Sequence, residues 1–150
     1  MKLTINSKPL LAALVSITLL AVITQLTSCG GSDPAPSVQD QVRSKMVSGL
    51  WRIKTVTVDG VDRTSVYPGL TLQFTASAYT SANGKPVWAT SGTWEFTSAD
   101  GKTIKRDDNI EVTMEVTTTS LELVLNWPTG TLGGGRAGSV KGVNVFTFTK

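Results

Sequence analysis

The sequence predicts an all-β domain: an eight-stranded antiparallel up-and-down barrel with a short N-terminal helix. Three observations carry this expectation. From Leu50 onward apolar residues recur at every second position, the period of a half-buried strand. Turn signals (Asp59-Gly60, Asn83-Gly84, Asp100-Gly101 and Asp107-Asp108-Asn109) separate the alternating runs. No helical stretch lies between consecutive runs, which excludes a parallel βαβ arrangement. A meander of this kind closes most easily as a barrel, which removes both sheet edges. A two-sheet β-sandwich is the competing geometry.

The elements follow in order. Ser37 is a helix N-cap with an acid, Asp40, three residues later. Val38, Val42 and Met46 fall on one face of that helix, and Gly49 is its expected stop. A helix this short is marginal alone, so its apolar stripe must dock on the domain. Strands are expected at Leu50–Val58, Leu70–Thr75, Pro86–Thr90, Thr93–Phe96, Thr103–Arg106, Ile110–Thr117, Leu121–Trp127 and Val143–Lys150. The inward faces then carry Trp51, Ile53, Leu72, Phe74, Trp94, Phe96, Val112, Met114, Leu123, Leu125, Phe146 and Phe148.

The first 28 residues read as a targeting segment, not as part of the fold. Lys2 and Lys8 form a positive start, and Pro9 to Ile23 is an apolar run interrupted only by Ser16 and Thr18. It ends at Leu26-Thr27-Ser28-Cys29-Gly30, which resembles the lipobox of bacterial lipoproteins. The resemblance implies cleavage before Cys29 and acylation of that residue. Each acyl chain then adds about 0.8 kcal/mol of membrane affinity per buried CH₂. Gly30 follows the cysteine where a retention signal would place Asp, so the resemblance implies an outer-membrane anchor, on the periplasmic face or at the cell surface. Residues 29–36, rich in Gly, Ser and Pro, read as a disordered tether, and residues 37–150 as the barrel domain.

Composition narrows the chemistry. The 150 residues hold no histidine and one cysteine, against 14 Lys+Arg and 11 Asp+Glu. An intramolecular disulfide, a Cys-built zinc site, His-based triads and imidazole ligands are therefore excluded. Lys2 and Lys8 contribute two of the three excess positive charges and leave with the targeting segment, so nucleic-acid binding has no electrostatic footprint. No catalytic role, cofactor or metal is expected. Asp107, Asp108, Asn109 and Glu111 cluster oxygens without the spacing of an EF-hand, and a hairpin turn beside Arg106 accounts for them. Gly133 to Gly138 matches G-x-G-x-x-G formally, but a strand follows where a dinucleotide site needs a helix. Tyr67, Tyr79, Trp88 and Trp127 fall near strand ends or loops, where they form either an exposed aromatic rim or end packing.

Gly49-Leu50-Trp51 at the start of the first strand, after a short helix, resembles the lipocalins. The wider pattern is similar to small lipocalin-like lipoproteins of Gram-negative bacteria: Val58-Asp59-Gly60, Ser91-Gly92-Thr93-Trp94, Lys105-Arg106-Asp107-Asp108, Gly134-Gly135-Arg136 and Phe146-Thr147-Phe148. The likeness covers roughly residues 38–150 and implies a barrel with the helix against one end. It also implies that a basic residue, here Arg136, caps Trp51 near the barrel base. The leading expectation is a small hydrophobic or amphipathic ligand in the barrel, met by Trp51, Phe74, Trp94, Phe96, Met114 and Arg136. The alternative is a side-chain-filled barrel that acts on a membrane protein partner through its loops and rim.

Overall fold

The computed structural model describes residues 35–130 and 139–150. Over them run a helix, α1 (Val38–Val47), and strands β1 (Leu50–Val58), β2 (Val61–Asp62), β3 (Thr71–Phe74), β4 (Ala78–Ala82), β5 (Ser91–Phe96), β6 (Thr103–Arg106), β7 (Glu111–Val116), β8 (Ser120–Trp127) and β9 (Gly142–Thr149). Each strand from β3 to β9 pairs antiparallel with the next, and β1 pairs with both β3 and β9. Eight strands thus close as an up-and-down barrel, while β2 pairs only with the tip of β1. One continuous closed sheet rules out the sandwich.

Closure depends on an irregularity in β1. Leu50 to Arg52 pair with β3, and Arg52 to Val58 pair with β9, with a register shift between Ile53 and Thr55. The extra residue, Lys54, reverses the alternation, so Trp51 and Ile53 turn inward before it and Val56 and Val58 after it. Where β1 parts from β3, the segment before β3 takes up its backbone groups. Ile53 N–H donates to the Leu70 carbonyl, Val56 N–H to the Thr64 hydroxyl, and Arg63 N–H to the Val56 carbonyl.

Two expectations about elements are corrected. Pro86–Thr90 is not a strand. It belongs to the connection between β4 and β5, where Trp88 N–H donates to the Gly84 carbonyl across a tight turn. The missed strand is Ala78–Ala82, whose small and polar residues show a single large apolar side chain, Tyr79. Val87 and Trp88 are apolar because the turn inserts them into the barrel end, where both are fully buried. Gly84 is required there, since a Cβ on it would sit 2.6 Å from that of Trp88. In α1, Ser37 caps the Asp40 N–H as expected, but the stripe docks only through its C-terminal half: Met46 is buried, Val42 partly, and Val38 is exposed.

Side chains fill the interior. Trp51, Leu72, Leu121, Leu123, Phe146 and Phe148 are all at 0% exposure, so no space as large as a water molecule touches them. Tyr67, Phe146, Trp88 and Tyr79 form a run of edge-to-face contacts with centroids 5.2, 5.9 and 5.5 Å apart. Phe146 also stacks on Phe148. Phe146→Ala is therefore expected to cost roughly 3–5 kcal/mol. A lower urea midpoint with an unchanged denaturant slope is the measurement that checks it.

Candidate functional site

Both ends of the barrel carry cations over aromatic rings, and the ends differ in how well those cations are satisfied. At the end covered by α1, Lys150 Nζ lies 4.4 Å from the Trp51 ring centroid. It also donates to the Ser48 hydroxyl and to the Lys45 carbonyl at the C-terminus of the helix. The Trp51 indole N–H donates to the Met46 carbonyl at 2.8 Å. On the same helix, the Arg43 guanidinium lies 5.2 Å from the Phe96 ring and 5.6 Å from Trp94, and Nη1 donates to the Ala76 carbonyl. Helix, first strand and last residue are thus joined around Trp51, while Arg43 ties the helix to the rings of Trp94 and Phe96.

This arrangement places the ligand candidates. Trp51, Phe74, Trp94 and Met114 are buried and Phe96 is partly buried. Phe74, Trp94 and Phe96 come together edge-to-face, with centroids 6.2 and 5.1 Å apart, and the Trp94 indole N–H donates to the Ala78 carbonyl. Met114 borders a cleft of about 250 Å³ between α1 and β7, lined by Val42, Gly101, Lys102 and Val116. Phe74, Trp94 and Phe96 contact one another, Arg43 of the helix reaches Trp94 and Phe96, and Trp94 also borders an outer cleft with Ser77 and Lys105. The cation over Trp51 is Lys150. Arg136, which the resemblance assigns to that position, lies outside the described residues, as do Cys29 and the Gly133–Gly138 motif.

The opposite end is built from longer connections: Arg63–Leu70, Asn83–Thr90, the Asp107–Ile110 turn and the segment between β8 and β9. Here Arg106, two residues beyond Ile104 on β6, points inward and is 3% exposed. Its guanidinium lies 4.6 Å from the Trp88 ring centroid and 5.7 Å from that of Tyr79. Nη2 pairs with the Asp108 carboxylate, whose side chain is 37% exposed. Among the described residues, Nε and Nη1 find no acceptor, nor do the Tyr79 hydroxyl and the Trp88 indole N–H. The acids of the Asp107–Asn109 turn serve the turn itself: Asp108 also accepts from Ile110 N–H, and Asn109 takes a positive φ.

The sequence places Arg106 beside a turn and leaves Tyr67, Tyr79, Trp88 and Trp127 open between rim and packing. The structure buries Arg106, Tyr67, Tyr79 and Trp88, and buries Trp127 in part. Period-two alternation from Ile104 was the signal that could have turned Arg106 inward. Nothing in the local pattern marks Trp88, because its burial comes from a turn and not from a strand face. Comparison with protein-family models, with curated proteins and with solved structures finds no match.

Burial pushes the Tyr67 hydroxyl up to about 12. It raises Tyr79 as well, opposed by the Arg106 guanidinium and reinforced by Asp107 and Asp108. A raised phenol favours the folded state fully below the unfolded value of about 10. That stabilisation is lost as pH rises through about 12. Between about pH 10 and pH 12 the wild-type urea midpoint should fall more steeply than that of Tyr67→Phe, in which this phenol is gone. Parallel slopes would contradict the assignment.

Proposed function

We propose that this chain is a lipid-anchored, lipocalin-like protein of the outer membrane whose barrel is a packed, non-catalytic scaffold, with recognition carried by the loops at the end opposite α1. The observation that supports a scaffold over a ligand calyx is the filled interior. Trp51, Leu72, Leu121, Leu123, Phe146 and Phe148 leave no water-sized gap around them, whereas a barrel that holds a ligand keeps open volume at its centre. The lipid anchor is supported by the Leu26-Thr27-Ser28-Cys29 sequence behind an apolar run, and by Cys29 being the sole cysteine. The lipocalin-like reading is supported by the closed meander and by a cation on the tryptophan of the first strand.

The longer connections at the end opposite α1 supply the variable surface that such a scaffold presents. An open groove of about 710 Å³ runs there along Val66, Pro68, Asn83, Lys85 and Thr90. A membrane protein partner is the occupant this reading favours.

Two measurements test the reading separately. Cys29→Ala should move the protein out of the lipoprotein fraction and abolish labelling by an alkyne fatty acid. Unchanged labelling would remove the anchor from the proposal. Native mass spectrometry of residues 30–150, made without acyl chains, should give the bare polypeptide mass. Extra mass that disappears on solvent extraction would instead establish a retained barrel ligand.

A further inference from the structure

We propose that Arg106 anchors an oxyanion site at the end of the barrel opposite α1, taking a carboxylate or phosphate group against Tyr79 and Trp88. This goes beyond the anchor and scaffold reading and does not depend on it.

Arg106 is short of acceptors. A guanidinium offers five N–H donors in a planar fork. At Arg106 it is 3% exposed, and the one carboxylate that touches it, Asp108, engages Nη2 from a half-exposed position. Four donor groups around this cation (Nε, Nη1, the Tyr79 hydroxyl and the Trp88 indole N–H) have no acceptor among the described residues. Buried donors without acceptors are costly, and more so when they belong to a charged group. Ring faces offset part of that cost, since Trp88 and Tyr79 both lie within cation–π distance, but a ring face satisfies charge and leaves most of the N–H directions unmet.

The same shortage selects the ligand class. A cation would be repelled by the guanidinium, and a neutral donor would find an acceptor only on the Tyr79 hydroxyl or Asp108 and leave Nε and Nη1 unmet. An oxyanion supplies two or more acceptor oxygens in the geometry of the fork, and the phenol and indole add donors on its flanks. Other carboxylates nearby do not fill this role. Asp107 Oδ1 and the Tyr79 hydroxyl would each lie within 3 Å of a Cβ placed on Gly92, at 2.8 and 2.7 Å, yet no hydrogen bond joins them. Asp107 instead borders an outer cleft, together with Trp94, Glu95, Lys105 and Arg106.

Access runs through the Trp88 segment. Residues 83–90 lie outside the strands and are held by Ser81, whose N–H donates to the Thr90 carbonyl and whose hydroxyl donates to the Trp88 and Ala89 carbonyls, by Asn83 Nδ2 on the Gly69 carbonyl, and by the turn from Gly84 to Trp88. Trp88 is fully buried against the guanidinium, so entry of the oxyanion requires this segment to swing outward, which the β4–β5 ladder from Ala78 to Thr80 does not oppose. Trp88 thus serves as the plug of the site and as its reporter.

The test uses the full chain in nonionic detergent micelles, ¹⁵N-labelled at tryptophan and arginine side chains. Sodium phosphate, acetate and decanoate are titrated against chloride at constant ionic strength. The expected result is a saturable shift of the Trp88 Nε1–H and Arg106 Nε–H resonances with an oxyanion and none with chloride. Saturation by phosphate or acetate identifies a free oxyanion; saturation by decanoate alone identifies the headgroup of an amphiphile. Arg106→Lys keeps the charge and loses the fork, so it should weaken binding at least tenfold. Asp108→Asn removes the competing carboxylate and should tighten it. No saturable shift in the wild-type protein with any of the three anions overturns the proposal, whether or not the variants fold. Affinity unchanged in folded Arg106→Lys overturns it as well.

Discussion

The barrel rests on one strand serving two neighbours at once. The first residues of β1 complete the edge of β3 and the remainder completes the edge of β9. Without that double role both edges would present unpaired backbone groups to other chains. A regular strand could not fill it and also keep an apolar face inward throughout, because the barrel wall turns where β1 changes partner. The bulge at Lys54 resolves the conflict by shifting the alternation one place. Trp51 and Ile53 then serve the helix end, and Val56 and Val58 serve the far end. The segment from Arg63 to Leu70 follows from the same geometry: it hydrogen-bonds the part of β1 that has left β3 and delivers Tyr67 and Leu70 to the core.

Closure leaves two open ends, and the chain treats them differently. At one, α1 lies across the opening and is fastened by cations whose polar groups are largely met. Lys150 reaches the helix C-terminus and the Trp51 ring together, and Arg43 reaches the Ala76 carbonyl and the rings of Trp94 and Phe96. At the other, a turn drives Val87 and Trp88 inward over a buried guanidinium with several unmet donors. Among the described residues, Arg43 Nε is unmet at the first end, against Arg106 Nε and Nη1, the Tyr79 hydroxyl and the Trp88 indole N–H at the second. Such an asymmetry is what a scaffold needs if one end is to be fixed and the other is to recognise something.

A small barrel has little volume to give away. Here the inward positions hold large side chains, and the aromatic run from Tyr67 to Tyr79 crosses the space that a ligand would occupy. The ligand candidates Trp51, Phe74 and Trp94 are buried among core side chains. Recognition at the loops, as proposed above, does not require an open barrel centre.

Much of this was legible in the amino-acid order, because alternation is a local property. The helix cap at Ser37, seven of the eight expected strands, the turns at Asp59-Gly60 and Asp107–Asn109, and the inward set from Leu72 to Phe148 follow from period two and from turn chemistry. Three features did not follow. β4 carries too few apolar residues to announce itself, and it is held in place by its neighbours' hydrogen bonds. Trp88 is buried by a turn whose depth depends on Gly84 meeting the Trp88 Cβ. Arg106 and Lys150 find their rings on other elements, at residues distant in sequence. The sequence by itself determined that strands would alternate and meander into an all-β domain. Only the tertiary structure decided which cation meets which ring and whether the interior would be full, because both depend on residues that become neighbours only once the sheet has closed.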